Sequence, residues 1–231
     1  ITDTDSHGGI RVNGEPVSIC ALQPEDVISI GGVEMELQPI TARQEKRQAL
    51  GFSEEDFLIL TVAEMNKNKN QSMVLKALAQ LKDREEYAHM KYLICGMGEY
   101  GKVLQQEAQD LGIGDHVVFM GYRKDIPDIY RCCDLFAFLS YREGLPVALM
   151  EAMSSGMPTV CSAARGNTDL VENGKEGLIV SQDPGAVAGA ILELYHDPDR
   201  RRDFGTAARE KVRQFDNENV HRIMKEIYLS V

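Results

Sequence analysis

No run of apolar residues in this chain approaches the eighteen or so that a membrane-spanning helix needs. The first residues also lack the basic-then-apolar pattern of a secretory signal, and a cytoplasmic location is the expectation. Cysteine is scarce and unpatterned. Cys20, Cys95, Cys132, Cys133 and Cys161 are odd in number and contain no C-x-x-C pair, which excludes a disulfide framework and points to reduced core thiols. The five histidines show no ligand spacing, so a metal site is not expected. Positive charge is in deficit: 25 Lys and Arg face 36 Asp and Glu, for a formal net charge of −11. That removes nucleic acid from the expected partners, since backbone binding depends on clustered Lys and Arg. The one basic cluster, Arg200 to Arg202, reads as a solvated helix face. An acidic protein still binds anions locally, through helix N-termini and one or two placed cations.

What is present is ordinary globular material. The 231 residues are 43% hydrophobic and 26% charged, enough for one large domain or one domain with an appendage. Residues 1–40 differ from the rest. Ile10-Arg11-Val12 leads into the hairpin signal Asn13-Gly14. Val17, Ile19 and Val27–Ile30 follow. After Gly31-Gly32, Val33, Met35 and Leu37 alternate with Glu34, Glu36 and Gln38. This segment is expected to be all-β and too small to stand alone.

From about residue 41 the pattern alternates between strand and helix. Strands are expected at Phe57–Ala63, Tyr92–Cys95, Val117–Met120, Leu135–Leu139, Thr159–Cys161 and Gly177–Val180. Helices are expected at Thr41–Leu50, Gln71–Lys82, Tyr100–Leu111, Ile126–Cys133, Pro146–Ser155, Asn167–Glu172, Pro184–His196, Pro198–Gln214 and Asn217–Leu229. Short apolar strands alternating with helices imply an α/β fold, a doubly wound parallel sheet covered on both faces. Ligands of such sheets bind at the carboxyl ends of the strands.

The most informative stretch runs from Glu143 through Gly144, Leu145, Pro146 and Val147 to Glu151 and Met153. Pro146 suits the first turn of a helix. The amides near residues 144–147 would then sit at a helix N-terminus beside a strand end, a place fit for a pyrophosphate. Glu143 and Glu151 lie a little over two turns apart, on roughly one side. Two carboxylates there would repel phosphate, so they suit hydroxyl groups, as on a sugar and a ribose.

This stretch resembles the E-x7-E motif of retaining GT-B glycosyltransferases of the family 4 type. Gly156-Met157-Pro158-Thr159-Val160, Arg165–Val171 and Asn173–Gly177 continue the likeness in the same order. It covers about residues 41–231 and implies a Rossmann-like, nucleotide-sugar-binding domain. Carried over by residue, it implies that Glu143 contacts the transferred sugar and Glu151 the ribose hydroxyls. Gly144, Leu145, Pro146 and Val147 would contact diphosphate and sugar. Lys69, in Asn66-Lys67-Asn68-Lys69-Asn70, is similar to a diphosphate-binding lysine that offsets charge on the leaving group. Glu64 stands where many members carry arginine, and Lys67 either compensates or is solvated. Gly98 of Gly96-Met97-Gly98 would line the cleft or serve only as a tight turn. Arg123 of Gly121-Tyr122-Arg123 would reach the donor, or pair with Asp125 or Asp128. The resemblance implies no cofactor and no metal, a UDP-sugar donor, polysaccharide or glycoconjugate synthesis, and a parent enzyme that is cytoplasmic or peripheral to the membrane.

A GT-B enzyme also needs an acceptor-binding domain, and residues 1–40 do not resemble one. Asp3–Ser6, Val12–Gly14 and Asp26–Gly32 are similar to the last strands of a forkhead-associated domain, and Ser6–Gly8 with Val12–Gly14 to an S4 motif. Without the upstream strands and loops no phosphopeptide binding is expected. The strands of residues 1–40 would need a borrowed partner, either from the main sheet's edge or from a second copy. The alternative to a donor half is a non-catalytic scaffold or a chimera built on the same fold.

Overall fold

A computed structural model describes residues 41–215 throughout. Outside that range it describes 10–12, 15–17, 27–30, 33–36, 221–222, 224–226 and 228. The chain divides into two compact units, Ile1–Glu45 and Lys46–Val231. In the first, β1 (Ile10–Val12), β2 (Glu15–Val17), β3 (Val27–Ile30) and β4 (Val33–Glu36) form an antiparallel sheet in the order β2-β1-β3-β4. Within the described residues these four strands pair with one another. Most of the residues that carry the forkhead-associated likeness, and Cys20, lie outside the described residues.

In the second unit six strands lie parallel: β5 (Phe57–Val62), β6 (Met90–Cys95), β7 (Val117–Gly121), β8 (Leu135–Phe138), β9 (Thr159–Ser162) and β10 (Gly177–Val180). Their order is β10-β9-β8-β5-β6-β7. The chain thus winds outward from β5 to one edge, returns to β8 beside β5, and winds to the other. This is the doubly wound Rossmann order, and the switch point falls between β5 and β8.

Both faces of the sheet are buried, which explains strands that are apolar throughout rather than alternating. Phe57 and Ile59 of β5 point into one core, with α2 (Gln71–Gln80), α3 (Gly101–Asp110) and α7 (Pro184–His196). Leu58 and Leu60 point into the other, with α4 (Ile126–Cys132), α5 (Val147–Ser154), α6 (Arg165–Leu170) and α8 (Pro198–Val212). The four described cysteines are buried and outside any disulfide, as expected of core thiols; burial pushes the Cys95 and Cys161 thiols up to about 12. A first helix, α1 (Ala42–Ala49), precedes β5.

The structure moves three of the expected elements. The sixth helix begins two residues early, at Arg165, and Val171 is already extended. Strand β6 begins at Met90, because Met90 pairs in register with Phe57. Pro146 is the extended residue capping α5 (φ −76, ψ 106) rather than part of its first turn. The last expected helix, Asn217–Leu229, falls largely outside the described residues.

Candidate active site

The loops that leave β5, β6 and β8 converge at the switch point. The first, residues 63–70, is the hub. Asn66 accepts a bond from the amide of Lys69 (3.1 Å) and so caps a single tight turn over Lys67–Lys69. Asn70 then takes a left-handed backbone (φ 51), which asparagine tolerates better than most residues. Its side chain donates to Leu139 O (3.3 Å) and to Gln182 Oε1 (2.6 Å), while Gln182 donates to Ser140 O (3.2 Å). The ends of β8 and β10 are thereby tied to the turn that carries Lys69.

Two further bonds join this loop to the one after β8. Tyr141 N donates to Asn68 O (2.8 Å), and Asn68 Nδ2 donates to Arg142 O (2.9 Å). Lys69 Nζ and Glu143 Oε1 then meet at 2.7 Å, with the ammonium 5.2 Å from the centre of the Phe138 ring. The pair is half sheltered, Lys69 being 22% and Glu143 9% exposed.

Glycine is required where these loops touch. Gly166, at the start of α6, lies under the loop after β8, and a Cβ there would come 2.1 Å from Gly144 O. A Cβ on Gly98 would come 2.2 Å from Met65 O. The Gly96–Gly98 segment is bound through Met65 N to Met97 O (2.9 Å) and Tyr100 N to Met65 O (3.1 Å). Gly98 therefore serves at least the tight strand-to-helix turn.

Beyond Glu143 the chain enters α5. Among the described residues, no acceptor meets the amides of Gly144, Leu145, Val147 and Ala148. Free N–H groups at the positive end of a helix dipole attract anions, and Glu143, which holds the Lys69 ammonium, directly precedes them in the chain. Leu145 and Val147 are exposed, whereas Pro146 is buried. Glu151, one turn into α5, is also exposed. One of its oxygens accepts from Tyr130 Oη at 3.2 Å. Glu151 lines a cavity of about 600 Å³ between α5 and the end of α8, with Val147 and Met150 on one side and Arg209 and Phe215 on the other.

Arg123 stands apart. Its guanidinium grips Asp125 with two bonds (2.8 and 2.6 Å), and Asp125 also takes Lys46 Nζ at 2.6 Å. The Arg123 bonds, then that of Lys46, hold the Asp125 carboxyl well below the usual carboxylate range. The ion pair with Asp125 is one of the two arrangements expected of Arg123. Glu64 is exposed and accepts from Asn66 Nδ2 (3.0 Å), and Lys67 is exposed beside it. Among the described residues no cluster of His, Cys, Asp and Glu could hold a metal ion, and no helix is long and apolar enough to cross a membrane.

The structure brings Lys69 and Glu143, both named from the sequence, into contact, and adds Asn70, Gln182 and Tyr130, which the sequence does not single out. Tyr130 carried one usable signal: a phenol on the core side of a short helix must find a partner for its hydroxyl.

Residues 42–211 match the family Glycosyl transferases group 1. The D-inositol 3-phosphate glycosyltransferase of Corynebacterium urealyticum is 31% identical over 199 residues, covering 82% of this chain and 47% of that protein. The Escherichia coli UDP-Gal:alpha-D-GlcNAc-diphosphoundecaprenol alpha-1,3-galactosyltransferase is 29% identical over 154 residues, 66% of this chain and 40% of that protein. Among solved structures, Anabaena Alr3699/HepE in complex with UDP-glucose superposes with a TM-score of 0.75 at 28% identity, covering 82% of this chain and 53% of that one. The chain spans about half the length of the curated relatives it matches.

Proposed function

Because the chain belongs to the glycosyl transferases group 1 family, we propose that it carries the donor half of a retaining hexosyltransferase that uses a UDP-sugar in polysaccharide or glycoconjugate synthesis. The observation that carries this reading is the Lys69–Glu143 pair, set across the switch point beside the free amides of α5. A diphosphate fits against those amides and the Lys69 ammonium. Glu143, its charge balanced by Lys69, is placed to accept hydrogen bonds from sugar hydroxyls. Glu151 does the same for the ribose. The adjoining cavity is of ligand-pocket size.

Chemistry follows from charge. As the bond from sugar to diphosphate breaks, negative charge builds on the leaving nucleotide. A fixed ammonium and helix amides stabilise that charge without reorganising. Lys69 and the helix do this in place of a metal ion, so binding and transfer persist in EDTA. Transfer also needs acceptor-binding residues, which we assign to a separate domain of the parent enzyme. The runner-up, a non-catalytic binding module, keeps the fold and loses turnover.

Calorimetric titration of the folded chain with UDP and UDP-glucose, with and without EDTA, tests the reading. Saturable, metal-independent binding is expected, and its absence would sink the donor-half assignment. Glu151→Ala is expected to weaken UDP binding by roughly 1–3 kcal/mol, the range for hydrogen bonds to a charged group. An unchanged affinity would remove Glu151 from the site.

A further inference from the structure

We infer that Tyr130 is a positioning residue for nucleoside recognition: its hydroxyl holds one oxygen of the Glu151 carboxylate, so that the other is presented to the ribose. The inference rests on the proposed role of Glu151 and extends it to a residue in a different helix, α4.

Tyr130 is 1% exposed, and its ring packs against Phe136 of β8 with centroids 5.8 Å apart. The ring is held by the core, so its hydroxyl has a fixed position. Two acceptors lie within reach, Ala148 O at 3.0 Å and Glu151 Oε2 at 3.2 Å. A phenol has one proton to give. Ala148 O already belongs to the hydrogen-bond ladder of α5. Glu151 carries a full charge and makes the stronger, charge-assisted bond. Burial, then the charge of Glu151, raises the Tyr130 pKa far above its ordinary value, so the hydroxyl keeps its proton and stays a donor.

What this achieves is order. An exposed glutamate samples many rotamers, and fixing it on binding costs entropy. A carboxylate tethered by a core hydroxyl has lost much of that freedom in advance, which favours binding. It also separates the two oxygens by task, one facing Tyr130 and one free for a hydroxyl ligand.

The test compares UDP with 2′-deoxy-UDP and 3′-deoxy-UDP by calorimetry on the wild-type chain, Tyr130→Phe and Glu151→Ala. The wild type is expected to prefer UDP over at least one deoxy analogue by about tenfold. Glu151→Ala abolishes that preference. Tyr130→Phe, which keeps the ring and its packing on Phe136, reduces the preference at least threefold with little effect on the analogue's own affinity. A purely structural role would lower affinity for UDP and the analogues alike and leave the ratio intact, which overturns the inference. If Glu151→Ala loses the preference and Tyr130→Phe keeps it, the positioning role fails and the donor site stands. If the wild type shows no preference at all, the ribose assignment of Glu151 fails first.

Discussion

With Lys69 replaced by alanine, the chain is expected to bind UDP at least thirtyfold more weakly, about 2 kcal/mol or more. Two effects add. Among the described residues, the ammonium is the cation that pairs with Glu143 (2.7 Å), the residue that leads into the free amides of α5. Removing it takes away a charge-assisted partner for the diphosphate. It also leaves the Glu143 carboxylate, only 9% exposed, uncompensated at the place where a dianion must approach. Repulsion then opposes binding where attraction assisted it. Two controls separate these effects. Lys67→Ala, in the same turn but exposed, is expected to change affinity by less than threefold. Lys69→Ala combined with Glu143→Gln should recover part of the loss, because the uncompensated charge is gone. Calorimetric titration with UDP reads all of these, and a Lys69→Ala chain that is folded and binds normally would overturn the site.

Why Lys69 and Glu143 were legible, and their meeting less so, has a physical reason. Both residues sit in loops that follow short apolar strands, where a parallel sheet presents its ligands. The strands stood out because burial on both faces makes them apolar at every position, as Leu58-Ile59-Leu60 shows. Pairing across 74 positions of sequence depends on β5 lying next to β8, a fact of strand order that no local pattern carries. The start of α6 is hidden in the sequence for a related reason. Gly166 looks like a helix breaker, yet it lies in the first turn because only glycine fits 2.1 Å beneath the Gly144 carbonyl. Asn70, Gln182 and Tyr130 act through one or two uncharged polar atoms on half-buried or buried side chains, and neither charge nor periodicity marks such atoms.

Arg47 is the largest omission, and its replacement by methionine is expected to cost the most stability. In the sequence it is one of several charged residues in the polar stretch Thr41–Leu50, expected only to be helical, and nothing local marks it for burial. In the structure it is 1% exposed. Its guanidinium donates to Cys132 O (2.9 Å), Ser53 O (3.0 Å), Asp56 O (2.8 Å) and the Asp134 carboxylate. Asp134 in turn accepts from Leu58 N (2.8 Å) at the start of β5. One side chain thus joins α1, the turn before β5, and the α4–β8 junction, the two strands that flank the switch point. Methionine supplies comparable bulk and no donor. It leaves a sheltered carboxylate and several carbonyls without their cation, a loss of about 3–5 kcal/mol. For a unit of this size that is a fall in Tm of about 6–20 °C, and a thermal melt showing less than about 2 °C would refute the assignment. Because Arg47 lies at the amino ends of β5 and β8 and the ligand loops at their carboxyl ends, UDP affinity measured well below the new Tm is expected to change little. A variant that melts early yet binds normally would separate the residues that hold these strands together from those that use them.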